Sequence, residues 1–121
     1  MARITGIGGI FFKSPDPKAL AAWYREKLGL AVENWGGALL QTGPDSPPKA
    51  VWSPFKADTT YFAPSAKDFM LNFAVDDMDG FCAMLTTNGV AILKRDDSDP
   101  SGKFAWVMDP DGNKVELWQP T

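Results

Sequence analysis

The feature that most constrains the fold of this 121-residue chain is an internal repeat. The segment Lys27–Val32, KLGLAV, aligns with Thr87–Ile92, TNGVAI, at an offset of 60 residues, and each segment contains a glycine that ends a predicted helix. A predicted strand precedes each helix, and about three strands follow it. Self-similarity at a fixed period indicates a duplicated structural unit. The sequence therefore predicts one domain made of two βαβββ modules, at about residues 4–55 and 68–120.

The first module begins with an apolar strand, Ile4–Lys13, in which glycines 6, 8 and 9 indicate that another group approaches the backbone closely. A helix from about Pro17 to Lys27 follows. Asp16 suits its N-cap, and proline is favoured at the first helical position. The remaining strands are predicted at Ala31–Trp35, Ala38–Thr42 and Ala50–Trp52, with a loop at Pro44–Pro48 and with Pro54 as the stop.

The second module follows a polar segment, 56–67, which we interpret as a linker. Its strand Phe69–Val75 leads into a helix that starts at the aspartates 76, 77 and 79 and ends at Asn88-Gly89. A strand at Val90–Lys94 and an acidic loop come next. The closing segment, Lys103–Pro120, predicts two strands joined by a turn at Asp109–Gly112, since proline and glycine suit the corners of tight turns.

Each predicted sheet has one face covered by its helix, so the two bare faces can enclose a cavity. This arrangement predicts an α+β fold of curved mixed sheets. Strand alternation identifies the side chains that face the cavity. They are Gly9, Phe11, Trp52, Met70, Asn72, Trp106, Glu116 and Trp118.

Composition excludes several classes of site. The chain has no histidine, which removes Ser-His-Asp and Cys-His nucleophile systems and all metal sites that contain histidine. Asp96, Asp97 and Asp99 could hold calcium or magnesium, but a solvated turn explains them better. A net charge of −3 gives no footprint for nucleic acid. The single Cys82 favours a cytoplasmic protein, and no apolar run predicts a membrane span.

The order of elements, together with the segments SPDPKALAAWYREKLGL, NFAVDDMDGFCAMLTTNGV and FAWVMDPDGNKVELWQP, resembles the vicinal oxygen chelate superfamily. That group includes glyoxalase I, bleomycin-resistance proteins, fosfomycin-resistance enzymes and extradiol dioxygenases. The resemblance covers essentially the whole chain and implies the fold. It leaves the function open, because this scaffold carries several chemistries as well as binding proteins. It also implies a homodimer, since family members often pair modules across one.

The resemblance implies four metal-ligand positions on inward strands. At three of them this chain has Gly9, Trp52 and Met70, none of which binds zinc, nickel or iron(II) in proteins. Only Glu116 matches the family ligand. We therefore expect no metal cofactor.

Glu116 has two interpretations. It is either an inherited carboxylate that is hydrogen-bonded inside the sheet, or a desolvated group with a raised pKa that acts as a base or binds a ligand. Asn72 is similarly a structural hydrogen-bonding residue or a ligand contact. Trp52, Trp106 and Trp118, with Phe11 and Met70, are either core packing or the walls of an aromatic pocket.

We predict a metal-independent protein that binds a small aromatic or cationic organic molecule through Phe11, Trp52, Met70, Asn72, Trp106, Glu116 and Trp118. One alternative is a lyase or isomerase of glyoxalase type with Glu116 as its catalytic base. Another is a dimerisation or regulatory domain whose own side chains fill the cavity.

Overall fold

A computed structural model describes residues 2–41 and 50–121, which form one open seven-stranded sheet and two helices. The strands are β1 (Ile4–Ser14), β2 (Ala38–Leu40), β3 (Ala50–Lys56), β4 (Phe69–Val75), β5 (Lys94–Asp99), β6 (Gly102–Met108) and β7 (Lys114–Pro120), and the helices are α1 (Pro17–Leu28) and α2 (Met78–Thr87). The order across the sheet is β2-β3-β1-β4-β7-β6-β5, so the predicted α+β class is confirmed.

The sheet carries the repeat that the sequence shows. In each half the first strand runs parallel to the last strand of the same half, β1 with β3 and β4 with β7. The halves join where β1 and β4 pair in antiparallel register at the centre of the sheet. The duplicated segments therefore make one continuous sheet rather than two separate ones.

Both helices have the predicted ends. The Asp16 carboxylate accepts from the backbone N–H of Ala19 at 3.1 Å, and Pro17 is the first residue of α1. The Asp77 carboxylate likewise caps α2 by accepting from the N–H of Gly80 at 3.1 Å. Gly29 and Gly89 follow the two helices with φ values of 72° and 76°, a conformation that glycine adopts without strain.

The two helices cover one face of the sheet, which we call the helix face. Phe12 and Trp52 pack there with α1, and Val75, Ala105 and Leu117 pack there with α2. The opposite surface, which we call the open face, carries a separate buried cluster of Phe11, Phe62, Met70 and Trp106. No helix formed by the described residues combines the length and the apolar character needed to cross a membrane.

Two predictions for the first module need correction. Ala31–Trp35 forms no strand, because the chain turns at Glu33–Gly37. The N–H of Glu33 donates to the carbonyl of Gly37, and the N–H of Gly36 donates to the carbonyl of Glu33. Pro54 does not end β3. Strand β2 pairs with β3 only as far as Trp52, so beyond that residue β3 pairs with β1 alone, and a proline is tolerated at such an unpaired edge. Thr42 and the predicted loop at Pro44–Pro48 lie outside the described residues.

The predicted strand at Val90–Lys94 and the acidic loop after it are also wrong, because strand β5 occupies the acidic segment. Asp96, Asp97 and Asp99 belong to this edge strand, which pairs with β6. Arg95 binds Asp79 of α2 and, at 2.9 Å, Asp97. Charged side chains are common on edge strands because they oppose pairing with other chains.

Candidate ligand site

The site is built on Glu116, a carboxylate in the middle of β7. Because β7 lies between β4 and β6, Glu116 is directly opposite Asn72 on one side and Trp106 on the other. Gly9 of β1 is in turn opposite Asn72. Residues opposite one another on paired strands present their side chains on the same face. Strand register alone therefore brings Asn72, Glu116 and Trp106 together on the open face.

Three donors surround the Glu116 carboxylate, which is 1% exposed. Its Oε1 accepts from Nδ2 of Asn72 at 2.6 Å, and its Oε2 accepts from Nε1 of Trp106 at 2.8 Å. Oε2 also accepts from the hydroxyl of Tyr61, which reaches the sheet from the segment between β3 and β4. Hydrogen bonds to an ionised acceptor are the strong ones in proteins, so this arrangement can hold a buried negative charge.

Burial nevertheless raises the pKa of Glu116 above its ordinary value, and the hydrogen bonds from Tyr61, Trp106 and Asn72 offset only part of that effect. The pKa of Tyr61 is raised as well, first by burial and then by the adjacent carboxylate. The phenol therefore stays protonated and acts as a donor. The site thus contains a desolvated carboxylate that is held in place by neutral groups.

Glycines in β1 make room for this network, as the sequence predicts. A Cβ atom on Gly8 would lie 2.0 Å from Oδ1 of Asn72, and one on Gly9 would lie 2.7 Å from the Phe11 ring. Oδ1 of Asn72 is buried and has no hydrogen-bond partner among the described residues. The Asn72 amide is thus oriented by its bond to Glu116, at the cost of an unsatisfied acceptor.

An aromatic cleft of about 800 Å³ opens beside the carboxylate. Trp106, Phe104 and Trp118 form a row in which successive rings are 5.9 and 6.3 Å apart and within about 12° of parallel. Phe55 and Tyr61 stack at 5.5 Å. The cleft is lined by the aromatic residues Phe11, Trp35, Phe55, Tyr61, Phe104 and Trp118.

The charged groups that line this cleft are acidic. Asp99 and Glu116 face it together with the polar Asn72, Ser101 and Thr121, and no lysine or arginine lines it in the described part of the chain. Aromatic faces and carboxylates both attract organic cations. The arrangement is therefore suited to a planar or positively charged molecule.

The structure corrects one predicted cavity residue. Trp52 lies on the helix face, where it packs against Tyr24 of α1 with ring centroids 4.7 Å apart. Because Trp52 pairs with Ile10 while Val51 pairs with Gly9, Val51 lines the cleft and Trp52 does not. The prediction is out of register by one residue, and a shift of one residue moves a side chain to the other face of a sheet.

The other predicted residues lie on the open face, but not all beside Glu116. Met70 packs with Phe11, Phe62 and Trp106, two residues before the partner of Glu116 in register. Asn72 holds that partner position instead. Phe11, Asn72, Glu116 and Trp118 line the cleft. Trp106 does not line it but contacts Tyr61 and Phe104, which do. Their ligand-binding roles remain predictions.

The metal site that the family resemblance implies can be compared with the side chains at the matching positions of β1, β3, β4 and β7. Gly9 and Val51 supply none, Asn72 supplies an amide, and both oxygens of Glu116 already accept N–H or O–H groups. Within residues 2–41 and 50–121 no three His, Cys, Asp or Glu side chains are grouped to hold a metal ion. These residues do not fit a transition metal, whose protein ligands are imidazole, thiolate and several carboxylates.

Sequence reasoning missed Tyr61 and Phe62, because it treated the segment 56–67 as a linker. Phe62 is fully buried and Tyr61 binds Glu116, so this segment completes the open face. Lys114 fixes it by donating to the carbonyl oxygen of Tyr61 at 2.6 Å. The available signal was two adjacent large aromatic residues within an otherwise polar stretch.

A model of the glyoxalase-like domain matches residues 9–118. The chain belongs to this family. The predicted membership of the vicinal oxygen chelate superfamily is thereby confirmed. No curated protein sequence matches the chain significantly.

Solved structures share the fold at low sequence identity. A Streptomyces coelicolor methylmalonyl-CoA epimerase variant in complex with 2-nitronate-propionyl-CoA has a TM-score of 0.74 at 17% identity, over 98% of this chain and 99% of that one. The Mycobacterium tuberculosis methylmalonyl-CoA epimerase gives 0.67 at 19%, over 98% and 89%. A Legionella pneumophila structure described as an NAD-dependent benzaldehyde dehydrogenase gives 0.63 at 15%, over 93% and 98%. At these identities the likeness concerns the fold.

Proposed function

We propose that this glyoxalase-like protein binds a small aromatic, cationic organic molecule in the cleft of about 800 Å³, without a metal ion. The observation that supports the proposal best is the row of parallel rings beside two carboxylates, Asp99 and Glu116. A cation gains both from the ring faces and from the negative charge, which has no cationic partner in the lining. Metal independence is supported by the donor set around Glu116, which is complete without an ion.

The structural relatives from Streptomyces and Mycobacterium are described as methylmalonyl-CoA epimerases, and the Streptomyces structure holds a CoA ester. CoA esters carry several phosphate charges, whereas the acidic lining described above would repel them. We therefore assign this cleft a cationic ligand rather than a CoA ester.

A direct test uses benzamidine, a planar cation, and its neutral analogue benzamide. Isothermal titration should show benzamidine binding, unchanged by a chelator, with benzamide at least about tenfold weaker, which is the size expected when a cation–π contact and a charge pair are lost. Trp118→Ala should weaken benzamidine binding several-fold. Trp23→Ala, which removes a half-exposed indole from α1 on the helix face, is the matched control and should leave it unchanged.

Equal binding of the two compounds, or equal losses in the two variants, would refute the assignment. A binding constant that rises with added zinc or nickel and falls with chelator would refute the metal-independent part alone.

The second candidate is a lyase or isomerase of glyoxalase type, favoured by the raised pKa of Glu116, which would suit a general base. Its weakness is that three donors already occupy the carboxylate. Turnover of the hemithioacetal of methylglyoxal and glutathione, abolished in Glu116→Gln, would establish it in place of simple binding.

We also propose a homodimer. Large apolar side chains of β1 and β4 remain 37–55% exposed on the helix face, in a strip between α1 and α2. The residues of this strip are Ile4, Ile7, Ile10, Phe69 and Leu71. Since β1 and β4 are equivalent strands of the two modules and run antiparallel, the strip has an approximate twofold axis of its own. A second copy of the same strip would match it in an isologous contact.

A further inference from the structure

A second groove, of about 410 Å³, lies on the open face next to the aromatic cleft. Tyr61 is the one described residue that lines both cavities. The other walls come from the segment between β3 and β4, through Thr60, Ala63 and Pro64, and from the ends of the strands β5, β6 and β7. The two cavities therefore adjoin at Tyr61.

The charge of this second groove is opposite to that of the cleft. Lys94 and Lys114 line it, and no described carboxylate does. Lys94 is directly opposite Trp106 in the pairing of β5 with β6, so both side chains are on the open face. The two ammonium groups lie 6.0 and 5.8 Å from the centre of the Trp106 ring. Strand register thus brings two cations to the same indole.

Neither ammonium has a carboxylate within ion-pair distance among the described residues. Asp96, two residues along β5 from Lys94, uses its Oδ1 to accept from Ser98. Both oxygens of Glu116, two residues along β7 from Lys114, are already hydrogen-bonded to other groups. Lys114 gives one of its three donors to the Tyr61 carbonyl, which leaves two.

Apart from Thr60, the remaining lining is apolar or aromatic. It includes Tyr61, Pro64 and Leu93, and Leu93 is 46% exposed. Partial burial lowers the pKa of Lys114, and so does the nearby charge of Lys94, while Glu116 opposes the change. Two like charges held beside apolar surface are stabilised by a bound anion.

We propose that this groove binds a small planar organic carboxylate, whose anionic group lies between Lys94 and Lys114 and whose ring contacts Tyr61, Pro64 and Leu93. This anion site is independent of the proposed cation cleft, because different charged residues line a different cavity. It gives the open face two subsites of opposite preference on the two sides of Tyr61.

The experiment uses benzoate as the probe and neutral benzamide as its isostere. The indole N–H signal of Trp106 in ¹⁵N-labelled protein, assigned by its absence in Trp106→Phe, reports on the groove directly. Benzoate should shift this signal in a saturable way and benzamide should not. The double variant Lys94→Gln/Lys114→Gln should bind benzoate at least about tenfold more weakly, the size expected for losing charge-assisted hydrogen bonds.

The matched control is Lys18→Gln/Lys27→Gln, which removes the same charge from α1 and should bind benzoate as the wild type does. The proposal is overturned if benzoate fails to shift Trp106, if benzamide shifts it equally, or if the two double variants lose affinity equally. Benzamidine binding should persist in Lys94→Gln alone, which keeps the hydrogen bond from Lys114 to the carbonyl oxygen of Tyr61. Failure of benzoate to bind would therefore leave the proposed cation cleft standing. Failure of benzamidine to bind would likewise leave the proposed benzoate groove standing.

Discussion

At the scale of single residues, Glu116 is unusual because a carboxyl group is almost completely buried without an ion pair to any described lysine or arginine. Its partners Asn72, Trp106 and Tyr61 are neutral donors. Sequence alternation could place Glu116 on an inward face, and the choice between a structural and a functional carboxylate depended on its partners. Through these three hydrogen bonds the carboxylate links β7 to β4, to β6 and to the segment between β3 and β4. This favours a structural role for Glu116, whose carboxylate also contributes to the charge of the cleft.

The raised pKa of Glu116 gives the first prediction. A carboxyl whose pKa is higher in the folded than in the unfolded protein contributes stability below its unfolded pKa, and this contribution is lost as pH rises through its folded pKa. Glu116→Gln does not titrate. The free energy of unfolding of the variant, relative to that of the wild type, should therefore rise as the pH increases above the ordinary carboxyl pKa of about 4.5.

Urea denaturation at several pH values measures this difference. The matched control is Glu26→Gln, which makes the same substitution at an exposed position of α1. An equal change with pH in this control would mean that the effect is not specific to Glu116. A relative stability of Glu116→Gln that falls with pH would contradict the assignment of a raised pKa.

At the scale of elements, the segment between β3 and β4 is part of the core. Phe62 is fully buried and contacts Phe55, at 5.0 Å between ring centroids, while Lys13 and Lys114 place their ammonium groups over Phe62 and Tyr61. Polar composition made this segment resemble a linker. In the tertiary structure, its two aromatic residues, Tyr61 and Phe62, pack on the open face.

Truncating Phe62 should consequently destabilise the protein. We expect Phe62→Ala to lower the free energy of unfolding by about 3–5 kcal/mol, the usual cost of replacing a buried phenylalanine with alanine. Trp23→Ala, which truncates an aromatic side chain that is 49% exposed and lies outside the proposed dimer strip, is the matched control and should cost clearly less. Chemical denaturation distinguishes them, and equal losses would show that the segment does not pack as described.

The caps of the helices give a third prediction. Removing the N-cap of α2 with Asp77→Ala should cost about 1 kcal/mol, because the N–H of Gly80 loses its acceptor at the start of the helix. Asp111→Ala, in the exposed turn between β6 and β7, removes the same charge without removing a cap. Thermal unfolding should separate the two variants. A loss as large in Asp111→Ala would mean that net charge rather than capping is responsible.

At the scale of the whole molecule, the antiparallel pairing of β1 with β4 joins the two modules and leaves the apolar strip of the helix face uncovered. If that strip is the dimer contact, Ile10→Lys should convert the protein to a monomer, because it places an unpaired charge within the contact. Sedimentation velocity measures the change. Leu93→Lys replaces a similarly exposed apolar residue outside the strip and should leave the dimer intact.

A wild-type protein that sediments as a monomer at all concentrations would remove the dimer proposal. A dimer that persists in Ile10→Lys would show that the dimer contact lies on another surface.

The sequence by itself determined the duplicated modules, the helix ends and the identity of Glu116 as the central inward carboxylate. These follow from local signals, namely a repeat, capping residues and strand alternation. Only the tertiary structure decided that Val51 rather than Trp52 faces the cleft, that Asn72 rather than Met70 is beside Glu116, and that Tyr61 completes the site. Each of these depends on strand register or on a contact between residues distant in the chain, and a one-residue difference in register exchanges the two faces of a sheet.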